Sequence, residues 1–408
     1  MASPAASESN SEGREPPQGA LSGLRVVEVG QWVAAPYCAA LLADFGADVV
    51  KIEKPGRGDD QRQSPPLIDG DSALFMQLNR NKRSASLDLT LAHDVEALRS
   101  LASDADVFLD NYRPGVLARL GIDYETLSKA NPRLIYCAIS GFGLSGELSE
   151  RAGMDLIAQA MSGVMLLNRD DDGRPNRVPI ALADISTGLF ATVGILAALQ
   201  SRARTGRGQL LDLSLLDSML AMMPMETSTL VATGENPPRF DPRVSRNAAP
   251  YQVFPTRDGW IVLVAVSQSL WEGTCHVLGC EELLADPRFA TNGLRIENSR
   301  LLEPYLERVF RTRTTAEWLE KVDAARIPAS PVFSLKDIVA HDHIRQRGNL
   351  VCPEPDDRHG KPVVLAPVRM SETPVRLHHA APHSGQHTAD LLQRLANGSP
   401  WLDAGDAQ

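Results

Sequence analysis

Along the first third of the chain, short apolar runs alternate with stretches of helical periodicity. Residues 25–29 (RVVEV) and 48–52 read as strands on either side of a helix over residues 36–44. The alternation continues with a helix over residues 93–102, a strand over 107–110, a helix over 116–120 and a strand over 134–140. Parallel strands need crossovers long enough to hold a helix, so this rhythm predicts a Rossmann-like α/β domain built on a parallel sheet. Residues 186–200 (STGLFATVGILAALQ) form a strongly apolar helix, and the TGRGQ turn at residues 205–209 ends it. Asp184 therefore stands just before a helix.

Beyond residue 234 the texture changes. GENPPRFDPR is rich in proline and charge, a strand follows at residues 258–266, and helical patterns occupy residues 270–278, 298–310 and 315–324. The prolines of IPASPV close this stretch, so residues 235–330 are expected to make a smaller α+β domain. Residues 1–20 are dominated by serine, proline and small residues and read as a disordered tail. No window reaches eighteen consecutive apolar residues, so no membrane span is expected.

Composition narrows the functional classes. The net charge of −10 leaves no general positive field for nucleic acid or an anionic membrane, so any anionic ligand must meet a local basic patch. The five cysteines are scattered and odd in number, which reads as reduced thiols in the cytoplasm. The turn after the first strand, EVGQWVAAP, lacks G-x-G-x-x-G, the spacing that lets backbone approach a pyrophosphate, and disfavours a nicotinamide or flavin enzyme. The C-terminal histidines His378, His379, His383 and His387 include i, i+4 spacing. No Cys or acidic ligand is spaced to complete a metal site, so none is expected, and His387 and Thr388 read as residues that cap and pack a helix start.

The stretch LADISTG sets a lone carboxylate, Asp184, at a strand-to-helix junction, where backbone amides and the helix dipole can hold an anion. Local pattern alone favours a helix cap there, because aspartate is a preferred capping residue. The ordered segments LSGLRVVEVGQWVAAPYCAALLADFGADVVKIEKPGRGD, LNRNKRSASLDL, DVFLDNYRPGVLARLG, NPRLIYCAISGFG, LADISTG, TGRGQLLDLSLLD and APHSGQHTADLL carry a wider pattern. Taken together, from Leu21 to about Leu395, they resemble the class III CoA-transferases, a family that includes formyl-CoA transferase and carnitine CoA-transferase. The resemblance implies that Asp184 attacks an acyl-CoA thioester to give an acyl-aspartyl anhydride, then carries CoA as an aspartyl thioester to a free carboxylic acid. A carboxylate suits this work because it can itself become the acyl carrier of CoA.

The same resemblance implies a discontinuous large CoA-binding domain (residues 21–225 and 335–400) and an interlocked homodimer. It implies no permanently bound cofactor, coenzyme A being substrate and product. Gln31, Trp32, Val33, Ala34, Lys54, Asn79, Arg83, Asn111, Tyr112 and Arg119 match positions lining the CoA site, and Lys51, Arg57 and Lys82 add cations in the same loops. The chain departs from formyl-CoA transferase at Val33, where that enzyme has a glutamine, and over residues 240–254, which lack its run of four glycines. Oxalate and formate are therefore disfavoured. Arg243 and Arg246 in that stretch can pair with an acceptor carboxylate, and a succinyl-CoA-type donor with a dicarboxylic or hydroxy acid acceptor is expected. Two rivals remain. An α-methylacyl-CoA racemase would need a proton-carrying residue where this chain has Met154, and a glutamate where it has Gln268. A CoA-binding protein without turnover would keep the fold and lose the chemistry.

Overall fold

The structure is a computed structural model that describes residues 19–238, 248–353, 360–398 and 401. The chain divides into two compact units, one formed by residues 1–165, 176–237 and 346–408, the other by residues 166–175 and 238–345. Residues 335–345, expected with the larger unit, group with the smaller one.

The larger unit is built on six parallel strands: β1 (Arg25–Val29), β2 (Asp48–Glu53), β3 (Lys82–Ser86), β4 (Val107–Asp110), β5 (Ile135–Ser140) and β6 (Leu210–Ser214). Their order across the sheet is β3-β2-β1-β4-β5-β6, the doubly wound arrangement in which the chain starts at the centre and winds outward both ways. Parallel strands are covered on both faces, and the sequence follows this rule: Val26, Val27, Val49 and Val50 are all buried. One face is closed by helix α1 (Ala34–Asp44) and by the long helix that carries Asp184, α2 (Leu182–Thr205). Residues from segments 95–105 and 117–127, together with Leu391, close the other. The two halves of the sheet diverge between β1 and β4. In open α/β sheets ligands bind outside the carboxyl ends of the strands at that switch point.

Strand β3 and helix α2 are among the elements that differ from the sequence reading. Strand β3 (KRSAS) has no apolar run and was not expected, yet its first four residues are buried. Its polar groups find partners: Lys82 and Arg83 in ion pairs, Ser84 and Ser86 in the returning C-terminal segment. In that segment the Ser84 amide donates to His387 Nδ1 at 3.1 Å and the Ser86 amide to Thr388 Oγ1 at 2.9 Å. His387 and Thr388 thus occupy the sheet edge and do not cap their own helix, whose start has no side-chain cap. Helix α2 begins four residues before the predicted start. It is long and apolar enough to cross a membrane by length and composition, but its Ala183, Ala191, Ile195 and Ala198 belong to the core under the sheet. The opposite face leaves Leu189, Phe190, Val193 and Leu196 exposed.

The smaller unit has a three-stranded antiparallel sheet of segments Tyr251–Pro255, Trp260–Val264 and Ala329–Pro331, the middle strand being Trp260–Val264. Its core gathers Phe254, Trp271, Phe310 and Trp318 around that sheet and the helices Gln268–Leu278, Ser299–Phe310 and Thr315–Ala324.

Candidate active site

Asp184 lies in the first turn of α2, as the third helical residue. The position before the helix, Ala181, offers no side chain to cap the free amides. Asp155 caps them from a separate helix: its Oδ1 accepts from the Ala183 amide at 2.8 Å and from the Asp184 amide at 3.4 Å. Gln159 steadies Asp155 by donating from Nε2 to Oδ2 at 2.8 Å, while its own Oε1 accepts from the Val178 amide. The capping role that the local sequence pattern assigned to Asp184 is therefore filled by Asp155, 29 residues upstream of it. Asp155 follows Met154 in GMD and was not singled out from sequence. Its signal was the cap missing from LADISTG.

Freed of capping, the half-buried carboxylate of Asp184 accepts no hydrogen bond among the described residues. A helix N-terminus ordinarily favours the anion. Here burial dominates and the Asp155 charge adds to it, so the Asp184 carboxyl is pushed up to about 7. A carboxylate that is basic and unpartnered is a better nucleophile than one tied down by donors.

The turn from Gly30 to Pro36, which leaves β1 and takes in the first residues of α1, runs against this helix one turn after Asp184. A Cβ added to Gly188 would stand 2.8 Å from the Ala34 carbonyl oxygen and 3.0 Å from the Tyr37 ring, so only glycine admits the approach. Trp32 holds a left-handed backbone with φ of 65°, uncommon for a non-glycine residue, and its ring is exposed. Asn111 clamps the turn reciprocally: the Gln31 amide donates to its Oδ1 at 2.9 Å, and its Nδ2 donates to the Gln31 carbonyl at 2.7 Å. Gln61 Nε2 donates to the Trp32 carbonyl. The amides of Val33, Ala34 and Ala35 have no partner among the described residues, and α1 has no side-chain cap.

Beside the turn a crevice of about 360 Å³ opens outside the carboxyl ends of β1 to β3. Val29, Leu87 and Leu117 form part of its apolar wall, and Lys54, Tyr112 and Arg119 are its polar residues of interest. The Arg119 guanidinium makes no ion pair among the described residues, whereas Lys54 pairs with Asp60 at the surface. Tyr112 joins crevice to turn, since Gln31 Nε2 donates to its hydroxyl at 3.2 Å.

The structure thus brings together Gln31, Trp32, Val33, Ala34, Asn111 and Tyr112 at the turn, and Tyr112, Lys54 and Arg119 at the crevice. Asn79 and Arg83 do not line the crevice. Asn79 is fully buried, donating to the Phe75 carbonyl and accepting from Lys82, and Arg83 is buried in a pair with Asp48 at 2.6 Å. Lys51 and Lys82 are fully buried too, because each is consumed by a pairing with Glu28. Arg243 and Arg246 lie outside the described residues.

A doubly wound sheet, a crevice outside the carboxyl ends of its strands and an unpartnered carboxylate one helical turn from a tight backbone approach are features of an α/β enzyme. A family profile described as CoA-transferase family III matches residues 21–388, and the chain belongs to that family. It is 36% identical to a succinyl-CoA:glutarate CoA-transferase of Mus musculus over 92% of this chain and 86% of that protein. It is also 36% identical to a succinate–glutarate CoA-transferase of Agrobacterium fabrum, over 94% of this chain and 96% of that one. A crystal structure of a CAIB/BAIF family protein from Brucella suis superposes with a TM-score of 0.85 at 35% identity, covering 93% of this chain and all of that one. The protein is a class III CoA-transferase.

Proposed function

We propose that the enzyme moves CoA from succinyl-CoA to a small dicarboxylic acid of the glutarate type, with Asp184 as nucleophile. The observation that carries the assignment of the nucleophile is the Asp184 carboxylate itself, set in the first turn of α2 while Asp155 takes the helix amides. The substrate classes rest on the names of the two relatives. A carboxylate oxygen of Asp184 attacks the thioester carbonyl, the C–S bond breaks, and CoA leaves as thiolate from a succinyl-aspartyl anhydride. The thiolate then attacks the aspartyl carbonyl of that anhydride, releasing succinate and leaving an aspartyl-CoA thioester. The acceptor carboxylate displaces the thiolate to form a second anhydride. Attack of the thiolate on the acceptor acyl carbon yields the new acyl-CoA and restores Asp184.

The partnerless amides of Val33, Ala34 and Ala35 are suited to stabilise the oxyanion of these steps, since preorganised donors act where charge develops. Arg119 and Lys54 offer charge to the phosphates of CoA, and Tyr112 a ring surface. Asn79 and Arg83 are left out of this contact set because their side chains are buried and engaged. Arg243 and Arg246 remain candidates for the acceptor carboxylate. An exposed apolar face on α2 (Leu189, Phe190, Val193, Leu196) supports a homodimer, because monomers seldom leave such patches uncovered. Five free cysteines, four of them buried, support work in the reducing cytoplasm.

Mass spectrometry after incubation with succinyl-CoA tests the reading. A CoA-sized, hydroxylamine-sensitive adduct that is absent in Asp184→Ala is expected. An adduct that persists in that variant would move the nucleophile elsewhere. In the racemase reading no adduct forms, and Met154, exposed where the proton carrier would stand, speaks against it.

A further inference from the structure

Beneath the turn that faces Asp184 lies a cluster of charges fully removed from solvent. Glu28, next to last in β1, accepts from Lys51 of β2 through Oε1 at 2.9 Å and from Lys82 of β3 through Oε2 at 2.7 Å. Each ammonium has three protons to place. Lys51 also donates to the Gly30 carbonyl at 2.8 Å and forms an ion pair with Asp59 Oδ2 at 2.9 Å. Lys82 spends its own on the Pro36 carbonyl at 2.9 Å and Asn79 Oδ1 at 3.0 Å. The two lysines, joined by one carboxylate, therefore hold the two ends of the Gly30–Pro36 turn.

Buried charge clusters are weak sources of stability, because desolvation offsets their attraction and apolar residues of equal volume often serve as well. What this cluster supplies is position. The turn it grips contains the left-handed Trp32, a conformation that persists only where surroundings over-determine it. The same turn approaches α2 at Gly188, one helical turn beyond Asp184, so a shift of the turn changes the distance between its partnerless amides and the nucleophile. Burial pulls the Lys82 ammonium down to about 8, against the pull of Glu28, while Lys51 repels it.

We propose that Glu28, Lys51 and Lys82 are positioning residues that register the Gly30–Pro36 turn against the helix of Asp184, and so govern the rate of acyl transfer without touching substrate. The rate half of this rests on the reading of Asp184 as the nucleophile. The registration half does not.

The full-length chain tests it as three variants: Lys82→Met, Glu28→Gln, and the double variant Glu28→Gln/Lys82→Met. The double variant restores charge balance around Lys51 and Asp59, and so keeps the fold within reach if a single change unfolds it. Hydrogen exchange at the amides of Gln31 and Tyr37 should rise by about tenfold in the double variant, while strands β4 and β5 keep their protection. Its adduct formation from succinyl-CoA should slow by about 100-fold, the cost of misplacing a group by about an ångström, with the Kd for CoA within about threefold of wild type. A double variant that regains the wild-type rate with unchanged exchange at the turn would overturn the proposal, since charge balance alone would then be the role of the cluster. So would a parallel loss of CoA affinity and of protection throughout the larger unit. If the wild type forms no adduct with any donor, the nucleophile assignment falls, and exchange at the turn alone decides the registration.

Discussion

Replacing Asp184 by asparagine should abolish CoA transfer and make the protein more stable at neutral pH. The carboxyl titrates at about 7 in the folded chain and at 3.8 when unperturbed. Between those values the folded state keeps a proton that the unfolded state has lost, so the number of protons bound on unfolding falls by one and stability declines as pH rises. A shift of about three units at about 1.4 kcal/mol each sets a ceiling of about 4 kcal/mol, reached near pH 7 and constant above it. Asp184 is half-buried, and solvent screening reduces the figure to about 2 kcal/mol. For 408 residues that is a rise in Tm of about 2 °C, taking the unfolding entropy as about 2 cal/mol/K per residue.

The assay is denaturant unfolding of wild type and Asp184→Asn at one fixed protein concentration, at pH 5 and pH 8. The variant should gain more at pH 8 than at pH 5, because at pH 5 only part of the proton difference has developed. An asparagine variant that is no more stable than wild type at pH 8, or whose advantage is the same at both pH values, would refute the reasoning: Asp184 would then titrate near its unperturbed value.

Other consequences follow from the same geometry. The rate of adduct formation should rise with pH through a single ionisation near 7, and Asp155→Asn, which keeps an oxygen to cap the helix while removing the charge, should move that midpoint down by about one unit; a pH–rate profile of both proteins checks this. Gly188→Ala should cost about 1–3 kcal/mol in stability and lower kcat, because the new methyl meets the Ala34 carbonyl; unfolding midpoints and steady-state rates read both. Arg119→Ala and Lys54→Ala should raise KM for the acyl-CoA about tenfold with kcat little changed, an effect that shrinks at high salt.

What could be read in the sequence depended on whether an element was stabilised by its own residues. Val26, Val27 and Val29 mark β1 by composition alone, and the helix at Ala92–Ser103 and the strand at Val107–Asp110 were equally legible. Strand β3 was not, because KRSAS is buried only by virtue of Glu28, Asp48 and a C-terminal segment about 300 residues away. The start of α2 was placed four residues late for a related reason, its cap being supplied by Asp155 from outside the local window. Within the candidate site, the ordered segments around Asp184 single it out, and LADISTG by itself does not. Lys51 and Lys82 looked like surface cations for phosphate. One legible sign spoke against this for Lys51: it sits between Val50 and Ile52 in a strand apolar on both faces, where a charge requires a buried counter-charge.

The two carboxylates at the head of α2 explain each other. A helix N-terminus with free amides would pull the pKa of any nearby carboxylate down and weaken it as a nucleophile. In this chain Asp155 takes up those amides, and its charge then opposes ionisation of the residue beside them. The arrangement leaves Asp184 unpartnered, basic and destabilised at neutral pH, which is the condition a nucleophile needs and a structural cap does not. A cap would have been satisfied by Asp184 at the position before the helix. Alanine stands there instead and the cap comes from another element, so the carboxylate of Asp184 is left free of the helix amides.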